Sequence, residues 1–426
     1  MARVTTPAPI DLFVSFRHRP STPLNWLRAA RAAAVWRARP GLRRLPVVLR
    51  IGGWALRFVP DLVRHVWRNG GTWKRNMGRS HAQQVIDLVR AATGNALMPR
   101  DYYGCDMARH AGSATFFELF PYQLYATPVL ALSAKEEVRL ANDKLRLAAR
   151  LTEGGVPTPE ILAIVRNGTL LDGEGRPVDL PRRDVLFKPT GGMQGNGISI
   201  WRHGPSGTWT RGAESLREEA LRQRLSREAG PRGAMLQEVL TNHASVRPFA
   251  PFALSSFRIV TVLDEHRVPE VVICQFRTAT DAAGVVDNYH AGGCLFAIDI
   301  ETGRFGVGHK GDFARRPQGI VSHPATGAAI TGEVVPGLET SKALAARAHA
   351  LLPTVICIGW DIALTEKGHV VLEANVPPGL QPSQQLAVGP RARRRFVELL
   401  GHHARAWLEA TEPSRSRFLV GRSLED

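Results

Sequence analysis

Two acidic residues and an amide near the C-terminal end have the types and spacing that most directly indicate chemistry. Asp361, Glu373 and Asn375 lie on the two arms of a β-hairpin predicted over residues 359–375, with its turn at residues 366–368. Carboxylate and amide oxygens are hard ligands, and Mg²⁺ typically takes one or two carboxylates together with substrate phosphates. These three residues are therefore candidate Mg²⁺ ligands.

The register of this hairpin decides whether the two carboxylates meet. We expect Thr365 to pair with His369 around a three-residue turn, with Gly368 in the left-handed conformation. In that register Asp361 lies directly opposite Glu373. Directly paired side chains have Cβ atoms about 4.5–5.5 Å apart, so like charges are destabilising there unless a cation lies between them. A solvated acidic pair on an outer face is the alternative, and a slip of one residue would undo the pairing.

A glycine-rich loop indicates a matching anion site. Residues 189–197 read PTGGMQGNG and join two predicted strands, Asp184–Lys188 and Ile198–Trp201. Backbone N–H groups in such a loop can approach phosphate oxygens, and Lys188 adds a positive charge. The chain has seven lysines against 48 arginines, so a lysine at this strand end indicates a need for a compact ammonium group. A snorkelling lysine at the strand end is the alternative.

The elements that must position these residues alternate between helices and β-hairpins. Apolar residues at helical spacing predict a helix over Lys135–Thr152, which Gly154 and Gly155 end. The predicted hairpins are Phe257–Leu263 with Val271–Phe276, Cys294–Ile300 with a turn at residues 301–304, and Gly359–Asn375.

Length and composition are those of an ordinary globular enzyme. The 426 residues predict two to three domains, each large enough to bury a core. The four cysteines lie far apart and contain no CxxC pair. We therefore expect neither a disulfide framework nor a structural zinc site. We therefore expect a cytoplasmic protein.

The positive charge is concentrated at the N-terminal end. Of the net charge of +17, residues 1–80 supply +14, with 16 Lys or Arg against two Asp, and they hold five of the nine tryptophans. The segment has neither the pattern of a signal peptide nor an apolar run long enough to span a membrane. Nucleic acid is not indicated either, because no reading motif accompanies the charge.

Three interpretations of this basic segment stay open. Arginines at every seventh residue from Arg43 to Arg64 form one stripe of a helix, so the segment could lie peripherally on an anionic membrane surface. Basic helices packed on the main domain with solvated arginines are the second interpretation, since Pro46 and Pro60 are expected to interrupt a long helix. An organelle transit peptide has a similar composition.

Taken in order, the motifs resemble the ATP-grasp superfamily, and within it the sugar-transfer-associated, alpha-L-glutamate-ligase-related group. The motifs are NDKL at 142–145, GGVPTP at 154–159, FKPTGGMQGNGI at 187–198, LQEVLTNH at 236–243, FRIVT at 257–261, DNYHAGG at 287–293, GWDIALT at 359–365 and LEANVPPG at 372–379. The resemblance implies an α+β fold in which two lobes hold ATP. The expected division is a basic helical region over 1–100, an ATP-grasp domain over 101–400 with lobes at about 140–235 and 236–400, and a C-terminal helix end and tail over 401–426.

The resemblance also implies a reaction. ATP and Mg²⁺ phosphorylate a carboxylate, and an amine attacks the acyl phosphate to give an amide, ADP and phosphate. A kinase-like phosphotransferase acting on a hydroxyl and a non-catalytic membrane-surface protein are the alternatives. The family name suggests cell-surface polysaccharide or sugar-transfer pathways, but the carboxylate and amine substrates carry no signature. Their pocket is expected at the N-terminal region and at residues 381–385.

Individual residues receive roles by the same resemblance. Lys144 and Lys188 contact the ATP phosphates, and Arg258 stabilises the transferring phosphoryl group, with a buried structural ion pair as the alternative. Asn288 is near the γ-phosphate, although His290 serves equally well. The other implied nucleotide-binding residues are Thr190, Gly191, Gly192, Gly195, Gly197, Gln237, Glu238, Val239 and His243, of which Gln237, Glu238 and Val239 form a hinge facing adenine. The implied Mg²⁺ ligands are Asp361, Glu373 and Asn375.

Overall fold

The structure is a computed structural model that describes residues 21–39, 41–104, 119–190, 197–281, 292–310, 319–380 and 388–411. Its helices are α1 (Pro23–Arg37), α2 (Leu45–Gly52), α3 (Trp54–Met77), α4 (His81–Asn95), α5 (Pro99–Gly104), α6 (Tyr122–Leu132), α7 (Lys135–Ala141), α8 (Lys144–Glu153), α9 (Glu218–Ala229), α10 (Leu338–Ala350) and α11 (Pro390–Thr411). Its strands are β1 (Ile161–Arg166), β2 (Thr169–Leu171), β3 (Val185–Pro189), β4 (Ser199–His203), β5 (Thr208–Arg211), β6 (Glu214–Arg217), β7 (Ala234–Glu238), β8 (Ser256–Leu263), β9 (Pro269–Thr278), β10 (Cys294–Asp299), β11 (Arg304–His309), β12 (Cys357–Thr365) and β13 (Gly368–Asn375).

The first lobe is a sheet covered by helix α9. Within the described residues the sheet has seven strands in the order β2-β1-β7-β3-β4-β5-β6, and its neighbours pair antiparallel. Phe187 of β3 and Leu236 of β7 point into the core under α9. Because side chains alternate along a strand, Lys188, Met235 and Gln237 lie on the opposite face. That face borders the cleft described below.

The second lobe contains the larger core. Its described strands form an antiparallel sheet in the order β11-β10-β9-β8-β12-β13. Apolar residues of this sheet share one core with Phe396 and Leu400 of α11 and with Trp26 and Leu27 of α1. Helix α1, from the basic N-terminal part of the chain, is therefore a structural component of this lobe. Helices and antiparallel sheets together confirm the predicted α+β class.

The predicted helix over residues 135–152 is wrong, because two helices, α7 and α8, replace it. Asp143 caps the second helix, with Oδ1 accepting the backbone N–H of Leu145 at 3.1 Å. The side chain of Asn142 pairs instead with the backbone of Val376, donating to its oxygen at 2.8 Å and accepting from its nitrogen at 3.1 Å. These hydrogen bonds from side chain to backbone compete with the backbone hydrogen bonds of a continuous helix, so the helix is interrupted at residues 142–143.

The turn of the β12–β13 hairpin is tighter than predicted. Thr365 pairs with Gly368 and not with His369, so residues 366–367 form a two-residue loop. Gly368 has a φ of +97°, which is the positive φ that the sequence predicts and that glycine tolerates best. The Thr365 hydroxyl donates to the Gly368 carbonyl at 2.8 Å and fixes this closure.

A β-bulge further along the hairpin restores the predicted contact between the carboxylates. Ile362 pairs with Val371, whereas Asp361 pairs with Glu373, which leaves Leu372 as the extra residue on β13. One extra residue on one strand shifts the register by one position. The bulge therefore cancels the shift at the turn, and the predicted pairing of Asp361 with Glu373 is confirmed.

The expectation that Pro60 interrupts a long helix is wrong. Helix α3 runs through Pro60, which lies on the exposed side of the helix. Proline has no N–H to donate to the carbonyl four residues earlier, and on this side water can bind that carbonyl instead. Helices α3, α4 and α5 bury a small core of their own, which includes Trp73, Leu88, Tyr102 and Tyr103.

Two arginines of α1 are buried and do not conform to the interpretation of solvated arginines. Arg31 is fully buried, and Arg28 is 5% exposed. Arg28 Nη2 donates to the carbonyl of Gly94 at 2.6 Å and to Asn95 Oδ1 at 3.1 Å. Burial lowers the pKa of Arg28 to about 10. These bonds tie α1 to the end of α4.

Candidate active site

A small cleft lies between helix α8, the face of the first sheet opposite α9 and strand β13. The residues that line it are Lys144, Leu147, Ala148, Leu151, Thr158, Lys188, Met235, Gln237, Val371, Leu372 and Glu373. Most of the wall is apolar, and the charged groups are two lysines and one carboxylate. A flat apolar group with an anionic tail matches this distribution of chemistry.

The two lysines come from different elements and converge on the same part of the cleft. Lys188 Nζ lies 3.2 Å from Glu373 Oε2. The pKa of Lys144 is lowered, first by burial and then by the positive charge of Lys188, with a further contribution from Arg232. Cations that repel one another in a partly buried cleft are stabilised when a polyanion binds between them.

A row of polar side chains crosses the second sheet beside this cleft. Gln275, Arg258, Asp361 and Glu373 are direct partners on strands β9, β8, β12 and β13. Arg258 Nε donates to Asp361 Oδ1 at 2.5 Å, and Nη2 donates to Oδ2 at 2.9 Å. Both residues are buried. The buried ion pair considered as the alternative for Arg258 is thus present, and a direct role on the phosphoryl group stays a prediction.

Arg277 is a site residue that sequence reasoning missed. Its Nη1 lies 3.5 Å from each carboxylate oxygen of Asp361, and it is buried. Burial would raise the pKa of Asp361, but the charges of Arg258 and Arg277 outweigh burial and hold that pKa well below its ordinary value. One sequence feature could have indicated Arg277: Gln275 and Arg277 alternate with apolar residues in a buried strand, where polar side chains need partners.

The oxygen donors around Glu373 fit a divalent cation. Asp361 and Glu373 are direct partners across the two strands, and like charges in that position are destabilising unless a proton or a cation lies between them. Asn375 Nδ2 is buried and has no partner within the described residues, so its amide can rotate to present Oδ1. Within the described residues, no group of three His, Cys, Asp or Glu side chains is placed to hold a metal ion. A cation here would need substrate oxygens as well, which is typical of Mg²⁺.

The predicted hinge divides between the two faces of β7. Gln237 lines the cleft. Glu238 points the other way, where Oε1 accepts the backbone N–H of Glu160 at 3.0 Å and Oε2 pairs with Lys367 and Arg183. The Glu238 side chain therefore joins the first lobe to the turn of the β12–β13 hairpin.

Four other predicted residues are described but do not line the cleft. The Thr190 hydroxyl donates to the Gly233 carbonyl at 2.8 Å, and Gly197 has a φ of +79° where the chain leaves the glycine-rich loop. Val239 is half-buried just after β7. The His243 ring lies 2.8 Å from Ser245 Oγ, near the hairpin turn. Their roles in nucleotide binding stay predictions.

Several predicted residues lie outside the described residues. They are Gly191, Gly192, Gly195, Asn288, His290 and the acceptor segment 381–385.

Contacts with Asn142, Tyr125 and Gly359 hold the segment after Asn375 against the site. Asn142 binds the backbone of Val376 through both atoms of its amide. The Tyr125 hydroxyl donates to the Pro378 carbonyl at 2.7 Å. A Cβ on Gly359, the strand partner of Asn375, would lie 2.8 Å from Pro378 Cβ, so only glycine fits this close approach. Helices α6 and α7 thereby fix the end of β13.

These features belong to a known class of protein. The family model described as sugar-transfer associated ATP-grasp matches residues 129–398, which is more than half of the chain. The protein is therefore a member of the sugar-transfer associated ATP-grasp family, as its motifs predict. Two α+β lobes with a cleft between them are the architecture expected for this family. No curated protein matches the sequence.

Solved structures show only distant likeness. The biotin carboxylase domain of the Hydrogenobacter thermophilus 2-oxoglutarate carboxylase, with MgADP, ADP and bicarbonate, has 13% identity and a TM-score of 0.37, covering 71% of this chain and 51% of that one. Campylobacter jejuni biotin carboxylase in its β-γ-ATP complex has 11% identity and a TM-score of 0.36, and the match covers 63% of this chain and 48% of that one. N5-carboxyaminoimidazole synthase from Aspergillus clavatus, with ADP and the aminoimidazole ribonucleotide, has 10% identity and a TM-score of 0.33, and the match covers 63% of this chain and 54% of that one. The chain spans about half the length of each, and likenesses this distant carry no argument about the site.

Proposed function

We propose that the protein is an ATP-dependent, Mg²⁺-dependent carboxylate–amine ligase that forms an amide through an acyl phosphate and releases ADP and phosphate. The observation that supports this most is the convergence of Lys144 and Lys188 with the opposed carboxylates of Asp361 and Glu373 beside an apolar cleft.

ATP binding uses the two kinds of wall in the cleft. Leu147, Met235 and Leu372 pack against the adenine ring, while Gln237 supplies a polar group at its edge. The phosphates lie at the lysine end, where their charge relieves the repulsion between the ammonium groups. Glu373 gives up its contact with Lys188 when the phosphates take that ammonium.

Phosphoryl transfer follows from charge neutralisation and alignment. An oxygen of the substrate carboxylate attacks the γ-phosphorus, the bond from that phosphorus to the bridging oxygen breaks, and ADP leaves. The two lysines neutralise the phosphate oxygens and hold them in line with the attacking carboxylate. Glu373, Asn375 and Asp361 would hold Mg²⁺, which supplies Lewis-acid stabilisation of the phosphates when bound. Arg258 and Arg277 keep Asp361 ionised and fixed in position.

Amide formation completes the reaction. The substrate amine attacks the acyl carbon, the bond from that carbon to the phosphate oxygen breaks, and inorganic phosphate leaves as the amine loses a proton. Phosphorylation is needed because a carboxylate oxygen is a poor leaving group. The family's association with sugar transfer makes sugar acids, amino acids and amino sugars the first substrates to screen.

Hydroxylamine tests this proposal, because it traps acyl phosphates as hydroxamates. The protein is incubated with ATP, Mg²⁺, hydroxylamine and a panel of carboxylates, and ADP, phosphate and hydroxamate are measured. A ligase gives all three in equal amounts with at least one carboxylate, and Lys188→Ala abolishes them. A stable phosphate ester without hydroxamate or free phosphate, obtained when hydroxyl compounds are added, would instead establish the kinase-like alternative and contradict the ligase.

A further inference from the structure

Helices α2 and α3 carry a band of exposed apolar side chains on the outside of the molecule. We define this apolar band as Leu45, Leu49, Leu56, Val59, Val63 and Trp67. Its members are well exposed, and Leu56 and Trp67 reach 81% and 83%. Single exposed apolar residues are common on protein surfaces, but several on one face of a helix indicate an interaction site.

Helical geometry places the band on one face. On α3 the members Leu56, Val59, Val63 and Trp67 follow spacings of three, four and four residues, which is the repeat of one side of an α-helix. The opposite side of α3 carries Phe58 and faces α4 and α5. No part of the chain that the structure describes covers the α3 part of the band, because the helix packs through its other side.

A stripe of arginines runs beside the band. Arg57, Arg64, Arg68 and Arg75 are exposed and recur at spacings of seven, four and seven residues, which places them about 100° around the helix from the band. Residues 41–80 contain nine Lys or Arg and a single acidic residue, Asp61. The same outer surface is thus both apolar and strongly positive.

We propose that the apolar band and its arginine stripe dock the protein onto an anionic lipid surface, with α2 and α3 lying in the plane of that surface. A helix with apolar residues on one face and arginines beside them buries the first in the headgroup region and pairs the second with lipid phosphates. Trp67 is a residue type that prefers this boundary. None of the described helices is long and apolar enough to cross a membrane, so the contact is peripheral.

Charge complementarity favours lipid over a second copy of the chain. Two copies meeting through this face would bring their arginine stripes together, and like charges there repel. An anionic bilayer supplies both an apolar layer and negative headgroups to the same surface. The proposal concerns a different part of the molecule from the cleft and does not depend on the reaction proposed there.

Vesicle flotation of the full chain tests the proposal. The protein is mixed with vesicles of phosphatidylcholine alone or of phosphatidylcholine with phosphatidylglycerol. We expect flotation only with phosphatidylglycerol, weakening as salt is added. The double variant Leu56→Asp with Val63→Asp is expected to lose flotation, whereas the control Val268→Asp, at an exposed valine 57% accessible in the β8–β9 turn, retains it.

Charge reversal separates the role of the arginines from that of the band. Arg57→Glu with Arg64→Glu is expected to weaken binding to phosphatidylglycerol vesicles by at least about tenfold, since each basic residue contributes on the order of 1 kcal/mol at an anionic surface. The matched control is Arg166→Glu with Arg227→Glu, at exposed arginines of the first lobe. Equal weakening in both pairs would mean that only net charge matters, which contradicts docking through this face.

Brominated lipids report the position of Trp67 directly. They quench tryptophan fluorescence at short range, so quenching in the native protein and its loss in Trp67→Phe would place the band in the bilayer. Absence of flotation with phosphatidylglycerol, equal flotation with phosphatidylcholine alone, or full flotation of the Leu56→Asp, Val63→Asp variant would each overturn the proposal. A dimer in solution that this variant abolishes, without lipid binding, would instead assign the band to contact between copies.

Discussion

Lys144 is the residue whose ionisation should respond most strongly to ligand. Its pKa is lowered by burial and by Lys188, so its charged form destabilises the ligand-free protein below that pKa; the penalty decreases as pH rises above it and is gone above the ordinary lysine pKa. Bound phosphates would favour the charged form. We therefore expect ATP affinity to fall as pH rises through the lowered pKa of Lys144, before an ordinary lysine near about 10.4 would lose its proton.

Calorimetry of ATP binding against pH measures this effect. In Lys144→Met we expect the affinity to be low and this pH dependence to vanish, with the ligand-free protein at least as stable as the native one. Lys135→Met, at an exposed lysine, is the control and should bind like the native protein. An identical pH profile in Lys144→Met would remove Lys144 from the phosphate site.

Asp361 and Glu373 are expected to differ in their contribution to stability. Asp361→Asn leaves Arg258 and Arg277 buried without their counter-charge, and breaking such a pair costs about 3–5 kcal/mol. Glu373→Gln affects a side chain that is 29% exposed and should cost less than about 1 kcal/mol. Urea unfolding compares the two variants. Equal losses would contradict the buried network as the support of the site.

Sequence alone identified single residues best where local geometry constrains them. The opposition of Asp361 to Glu373 followed from hairpin pairing, and Lys188 from its place at the end of a strand before glycines. Arg277 was missed because its partner Asp361 is remote in sequence, and only the assembled sheet brings them together.

At the scale of elements, Asn142 connects the start of α8 to the end of β13. Asn142→Ala would leave the backbone N–H and carbonyl of the buried Val376 without partners, at a cost of about 1–3 kcal/mol. Because Lys144 and Asn375 lie two and one residues from these contacts, ATP affinity should fall as well.

Thermal unfolding with and without ATP measures both effects of Asn142→Ala. The control is Asn76→Ala at an exposed asparagine, which should change neither stability nor the response to ATP. A destabilised Asn142→Ala protein with unchanged ATP affinity would limit the contact to a structural role.

The β12–β13 hairpin shows why elements were predicted better than their details. The two-residue turn and the bulge at Leu372 shift the register in opposite directions, so the contact was right although the turn was wrong. Glycine at position 368 suits either turn. Likewise, the apolar residues over 135–152 keep helical spacing on both sides of the break. Their spacing therefore predicted one helix and gave no sign that Asp143 caps a second one.

At the scale of the whole molecule, the two lobes were predicted from the resemblance that the motifs carry, and Lys144, Lys188 and Glu373, which belong to three of these motifs, line the cleft. The concentration of charge at the N-terminal end was equally plain from sequence. Composition could not show that α1 joins the core of the second lobe, since that depends on packing between residues far apart in the chain, such as Trp26 and Phe396.

Thermal unfolding of the native protein, with and without ATP and each with and without Mg²⁺, tests the central claim most directly. A ligand that binds only the folded state stabilises it by about 2.7 kcal/mol at one hundred times its dissociation constant. We expect a saturable, Mg²⁺-dependent rise in the unfolding midpoint that is absent in Lys188→Ala and retained in Lys135→Ala. A folded native protein whose midpoint does not respond to ATP under any of these conditions would contradict the nucleotide site.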